Sequence, residues 1–277
     1  MKKKVYLIFL AGVLMLSVSF AGAKNDSVSV TYIANCGFLV EIDSKRILID
    51  ALFKEGFNHY VVPDSSTIEL INSNKKPFNG IDLVLVTHKH GDHFDPEMLL
   101  SFMLRNPDTK LICPAQVIEM LSQYEKGYNK IKSNIINASP ELYSSELIEV
   151  DGLEIYACRL LHGHVNNKDI QNIAYLVSFN GKSFFHTGDA DPHQVIKYSG
   201  IKLSDRNITV GLINDGFGNM QNASITREFI NAQNNVTMHL PEQIAKIWLE
   251  PLKEQPDLFS NPFVFTRSLE QKTFFGY

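Results

Sequence analysis

Ile81-Asp82-Leu83-Val84-Leu85-Val86-Thr87-His88-Lys89-His90-Gly91-Asp92-His93 decides the fold. Its first six residues form a near-continuous apolar run, the pattern of a central strand buried on both faces. Its last six place three of the chain's nine histidines and an aspartate directly at the strand's end. Neutral imidazole nitrogen and carboxylate oxygen are donors that borderline divalent cations such as zinc favour. Side chains at alternating and adjacent positions of one loop aim in two directions, so one loop can serve two ions. A solvated polar loop that happens to hold histidines has no need of the buried strand in front of it.

Upstream, Ser27 to Ile33 and Gly37 to Ile42 alternate polar and apolar residues, and Arg46 to Asp50 follows a turn at Asp43-Ser44. These read as three strands joined by tight turns. Residues 54–80 make a longer excursion with a capped helix near 64–71. Downstream, Asp95-Pro96 supplies an N-cap and a first-turn proline for a helix through Leu104. A strand at Lys110–Cys113 and a helix at 114–121 follow. The middle of the chain is strand-rich, with segments 146–150, 153–161, 173–179 and 182–186 and a hairpin signal at Asn180-Gly181. Strand and helix then alternate again: strand 208–213, helix 225–232, strand 236–239, helix 241–249. Two halves of this kind predict an α/β fold of four layers, an αββα sandwich of two packed mixed β-sheets with helices outside.

The 277 residues open with Lys2 to Lys4, the apolar run Val5 to Phe20 and the triplet Ala21-Gly22-Ala23. This is the pattern of a secretory signal peptide. A run of sixteen residues is short for a retained membrane span. Residues 1–23 are therefore expected to be cleaved, leaving one domain over residues 24–277 in the periplasm or outside the cell, without a stable membrane anchor. Cleavage removes three of 26 basic residues and none of 30 acidic ones, so the net charge falls from −4 to −7. No basic stripe remains, which argues against nucleic acid or an anionic membrane as the main partner and leaves a small molecule. Cys36, Cys113 and Cys158 are too few and too scattered for a disulfide framework and read as small buried core residues. Cys36 stands where it can approach the site.

The pattern H-x-H-x-D-H after an apolar strand, here His88, His90, Asp92 and His93, resembles the hallmark of the metallo-β-lactamase superfamily. The resemblance implies further ligands from downstream loops. Phe184-Phe185-His186-Thr187-Gly188-Asp189 is similar to the family's strand ending in Gly-Asp, which makes Asp189 the bridging carboxylate. His239, before Leu240-Pro241, is similar to the final histidine. For the mid-chain ligand, His162-Gly163-His164 offers two imidazoles; His162 is preferred because it lies at the strand end, with His164 as the alternative. Asp50 resembles an aspartate that hydrogen-bonds a ligand histidine, and a helix cap is its plainer reading. His186 and Asp191 are expected to flank the site without ligating.

By that resemblance His88, His90 and His162 bind one divalent cation, and Asp92, His93 and His239 bind another, with Asp189 between. Zinc is expected, with manganese or iron as alternatives. Two such ions ionise a shared water near neutral pH, and Asp92 orients it and passes a proton to the leaving group. The implied activity is hydrolysis of a small ester, lactone or phosphodiester, the nearest motif likeness being to sugar-lactone lactonase-like members. The alternatives are β-lactam hydrolysis and non-catalytic metal or ligand binding on the same fold.

Overall fold

Alternation at the start of the chain produces a meander of β1 (Ser27–Ala34), β2 (Gly37–Ile42) and β3 (Lys45–Ile49), antiparallel throughout. Asn35 and Asp43 turn it, with φ of 47° and 52°, a left-handed conformation that Asn and Asp tolerate better than most side chains. The computed structural model describes residues 27–57, 59–163, 165–254 and 259–277. The expected signal segment 1–23 and the alternative ligand His164 lie outside the described residues.

Helix α1 (Ser65–Asn72) starts where the Asp64 carboxylate accepts the Thr67 amide at 2.7 Å. The short apolar strand β4 (Leu83–Leu85) lies parallel to β3. Its side chains are buried on both sides: Leu83 and Leu85 face one cluster, Val84 and the following Val86 another. Helix α2 (Pro96–Arg105) opens as the sequence requires, with Asp95 accepting the Met98 amide at 2.8 Å and proline in its first turn. β5 (Lys110–Cys113), α3 (Ala115–Ser122), α4 (Glu125–Ile131) and β6 (Ile135–Asn137) complete the first half.

The second half repeats the plan. β7 (Ser145–Val150), β8 (Leu153–Leu160), β9 (Asn172–Phe179) and β10 (Lys182–His186) are antiparallel. β11 (Val210–Asn214), helix α5 (Ala223–Phe229), β12 (Asn235–Met238), helix α6 (Glu242–Lys253) and β13 (Pro262–Phe263) follow, the strands now parallel. The last strand, β14 (Gln271–Phe275), returns to the first sheet and pairs with β1. The sheets run β14-β1-β2-β3-β4-β5-β6 and β13-β12-β11-β10-β9-β8-β7.

Val30, Phe38, Val40 and Leu85 meet Ile155, Tyr175, Phe184 and Leu212 between the sheets. Helices α1 to α4 cover the outer face of one sheet around Phe102 and Val117, while α5 and α6 cover the other around Phe217 and Leu252. The architecture is the four-layer αββα sandwich expected. Elements absent from the sequence reading are short or exposed. β6 has three residues and β13 two, one of them a proline at the sheet edge. In β14 Phe274 alone is buried, so no alternation announces it.

Candidate metal centre

The loops that follow β3, β4, β8, β10, β11 and β12 converge, and with them come Asp50, the 88–93 loop, His162, Asp189, Asp215 and His239. Parallel strands that end together put their following loops on one rim, the usual place for a site on open α/β sheets. Asp189 sits at the centre. Its Oδ2 lies 3.7 Å from His88 Nε2, 3.4 Å from His162 Nε2 and 3.5 Å from His239 Nε2, while its Oδ1 lies 3.3 Å from His93 Nε2. Gly188 makes this placement possible: φ is +53°, and a Cβ there would come within 2.4 Å of Asn172 Oδ1. Asn172 and Asn214 pin the turn, the first accepting the Asp189 amide at 2.9 Å, the second donating to the carbonyls of Gly188 and Ala190.

Two groups of donors meet at this carboxylate. His88, His90, His162 and Asp189 form one, with His88 Nε2 and His90 Nδ1 only 3.0 Å apart. Cys36, His93, His239 and Asp189 form the other. Asp92 joins the second, its Oδ2 lying 3.8 Å from His93 Nε2 and 3.7 Å from His239 Nε2. Donors bound at 2.0–2.1 Å around a tetrahedral ion lie roughly 3.3 Å from one another. The spacings observed scatter about that value, so both groups fit a divalent cation. Two buried atoms point the same way: Asp92 Oδ1 and His93 Nε2 make no hydrogen bond within the chain.

Supporting groups set the tautomers. Asp50 Oδ2 lies 2.8 Å from His93 Nδ1, so the ring donates there and leaves Nε2 to face Asp189. The other oxygen of Asp50 accepts the Thr87 amide at 2.8 Å, which ties the carboxylate to the start of the histidine loop. Thr87 Oγ1 donates to Asp50 Oδ2 and can accept only from His88 Nδ1, 3.0 Å away, leaving His88 Nε2 bare. Orienting partners of this kind commonly accompany metal-ligating histidines. Asp215 lies 3.6 Å from His239 Nδ1, and Asn35 Nδ2 donates to Asp92 Oδ2 at 3.1 Å.

Electrostatics divide the groups. Burial, then the neighbouring His93, holds His88 well below the usual imidazole range. Burial and His162 bring His90 down to about 4. Against the same burial, Asp189 and Asp50 hold His93 well above its ordinary value, and Asp189, Asp215 and Asp92 raise His239 to about 10. Burial, reinforced by Asp189, pushes the Cys36 thiol up.

All seven sequence-derived ligand candidates, His88, His90, Asp92, His93, His162, Asp189 and His239, are brought together. Asp50 contacts His93 rather than capping a helix. His186 is buried beside the site, donating from Nε2 to the Cys36 carbonyl at 2.9 Å, and Asp191 lines the cavity and accepts the His193 amide. Asp215, Tyr60 and Phe57 escaped the sequence reading. Asp215 follows strand β11, the same signal that identified Asp189. Tyr60 packs at a tilt against His239 with ring centroids 4.1 Å apart, and Phe57 meets His90 edge-on at 6.4 Å. Both sit in the 54–80 excursion. They wall a cavity of about 750 Å³ whose floor carries His90, Asp92, His162, Asp189 and His239.

The sequence profile of the beta-lactamase superfamily domain matches residues 45–210. A relative described as a UPF0173 metal-dependent hydrolase from Pyrococcus furiosus is 27% identical over 164 residues, 58% of this chain and 61% of the relative. The chain thus spans about three fifths of the length of that curated relative. Among solved structures, Igni18, a metallo hydrolase from Ignicoccus hospitalis, is 19% identical with a TM-score of 0.58, covering 90% of this chain and 98% of its own. The metallo-beta-lactamase fold protein YhfI from Bacillus subtilis is 17% identical with the same TM-score, covering 90% and 99%. At those identities the likeness shows the fold.

Proposed function

The chain belongs to the beta-lactamase superfamily domain family, and from that membership we propose that it is an exported metal-dependent hydrolase that uses two divalent cations, zinc foremost, to cleave a small ester or lactone. One observation carries the reading: two donor groups of metal-ligand spacing share the Asp189 carboxylate on the floor of an open cavity. His88, His90 and His162 would hold one cation, and Asp92, His93 and His239 the other. When bound, such a pair acidifies water and polarises the oxygen of the group being attacked.

The chain's own residues supply the rest. Asn35 holds the Asp92 carboxylate by donating to its Oδ2, and Asp92, on the cavity floor, is the group that would orient attacking water and pass a proton to the leaving oxygen. Burial and Asp215 push the Tyr60 phenol up, which keeps it protonated as a hydrogen-bond donor on the cavity wall.

Charge narrows the substrate class. Among the described residues no lysine or arginine lines the cavity, and Asp191 and Asp215 do. Two divalent cations would bring +4 against the −5 of Asp50, Asp92, Asp189, Asp191 and Asp215. Beyond the cations themselves an anionic phosphodiester would find no lysine or arginine to anchor it, so a neutral ester or lactone ranks above it. Export rests on the sequence of residues 1–23; among the described residues no helix is long and apolar enough to cross a membrane.

Turnover of chromogenic esters, lactones, cephalosporins and bis-nitrophenyl phosphate by the protein loaded with zinc or manganese tests the proposal. Ester or lactone turnover that a chelator abolishes and zinc restores is expected. Turnover unaffected by complete metal removal would defeat it.

A further inference from the structure

The turn between β1 and β2 presses a sulfur against the second donor group. Cys36 is fully buried, and its Sγ lies 4.0 Å from Asp189 Oδ1 and within 4.8 Å of ligand-capable nitrogens of His93 and His239. A zinc–sulfur bond of about 2.3 Å and a zinc–oxygen bond of at least about 2.0 Å can together span roughly 4.3 Å, so one ion can reach both atoms without backbone movement.

The turn is built to hold that position. Asn35 adopts φ 47°, and its side chain grips Asp92. The Cys36 carbonyl accepts from His186 Nε2 at 2.9 Å. A Cβ on Gly37 would meet the Asp50 carbonyl oxygen at 2.6 Å, so the turn rests directly on the chain that carries Asp50. A second observation points to a ligand in the same space: the buried His93 Nε2, facing Asp189 at 3.3 Å, makes no hydrogen bond. The other two cysteines lie in different surroundings. Cys113 is packed among Leu111, Val117 and Leu121, and Cys158 places its sulfur 3.7 Å from the Tyr156 carbonyl oxygen in the outer core of the second sheet.

We propose that Cys36 is a ligand of the cation held by Asp92, His93 and His239, closing the buried side of that position while the cavity side stays open to substrate. Cys36 does not line the cavity, so its sulfur approaches from the side opposite a bound substrate. As the metal–sulfur bond forms the thiol proton leaves to the buffer, and no electrons are exchanged. A soft sulfur among nitrogen and oxygen donors makes this position favour zinc, cobalt or cadmium over manganese or magnesium. The inference rests on reading the second group as a metal position, and it is independent of whether the bound metal hydrolyses anything.

Cobalt reports both points separately. In the full chain titrated with two equivalents of cobalt(II), visible ligand-field absorption shows that the ion is held by the protein. A near-ultraviolet sulfur-to-cobalt charge-transfer band shows thiolate ligation. Wild type should display both. Cys36→Ser, and Cys36→Ala as a second variant, should keep the visible bands and lose the near-ultraviolet one, whereas Cys113→Ser and Cys158→Ser keep both. Zinc's advantage over manganese at the second position should fall about tenfold or more in Cys36→Ser. Visible bands without the charge-transfer band in wild type, or a band that survives both Cys36 variants, overturns the assignment. Absence of visible bands in wild type would overturn the metal reading itself.

Discussion

On one side of Asp189, His88, His90 and His162 stand edge to face with ring centroids 4.7 to 5.0 Å apart; on the other, His93 and His239 each back onto a carboxylate, Asp50 and Asp215. The first trio crowds imidazoles together, so burial and mutual repulsion keep His88 and His90 neutral. In the second, aspartates outweigh burial, and both rings hold protons when no metal is bound. Residues of the same type are thus poised in opposite ways. A cation entering the first group meets His88 and His90 already neutral, while one entering the second must displace protons from His93 and His239.

The largest effect should come from the residue the two groups share. Asp189→Asn is expected to lower kcat/KM at least about a thousandfold, or roughly 4 kcal/mol of transition-state stabilisation, and to weaken both metal positions together. Selective loss of one metal, measured by equilibrium dialysis with elemental analysis, would separate groups that the geometry joins.

Proton release comes next. Calorimetric zinc titrations at pH 7 in buffers of different ionisation enthalpy count protons displaced per ion. The first equivalent should release essentially none from His88 and His90, which are already neutral. The second should release about two, from His93 and His239, and a third if Cys36 ligates. Equal release from both equivalents would erase the contrast.

Supporting groups sharpen it further. Asp50→Asn should weaken zinc at the second position about 10- to 100-fold, leaving the first within a few fold. Asp215→Asn acts across 3.6 Å from a half-exposed carboxylate, so a loss of about tenfold or less is expected.

Smallest is the pH response of the metal-free fold. His239, raised to about 10, contributes stability that is complete below its ordinary value of 6.5 and is lost as pH climbs through 10. His90, lowered to about 4, contributes the reverse, present above 6.5 and lost as pH falls through 4. In metal-free protein His239→Gln should flatten the alkaline side of the Tm profile and His90→Gln the acid side. Identical profiles for the two variants would count against the division.

Half of this contrast was legible in the sequence. His88, His90, Asp92 and His93 announce themselves because four donors crowd one loop after a strand with no polar face. Asp189 and His239 are legible only as donors placed after strands in a known order. Asn35, Cys36 and Asp215 form no pattern of their own. Asn35 reaches Asp92 across 57 positions and Cys36 reaches Asp189 across 153, contacts that exist only once two sheets close on each other. The same physics governed the fold: β4 was visible because both its faces are buried, whereas β14, with Phe274 alone inside, carries almost no signal.

Anomalous diffraction at the zinc edge from crystals of the zinc-loaded protein tests the central claim most directly. Two peaks flanking the Asp189 carboxylate are expected, one against His88, His90 and His162 and the other against Asp92, His93 and His239. A single peak, or peaks remote from Asp189, would contradict it.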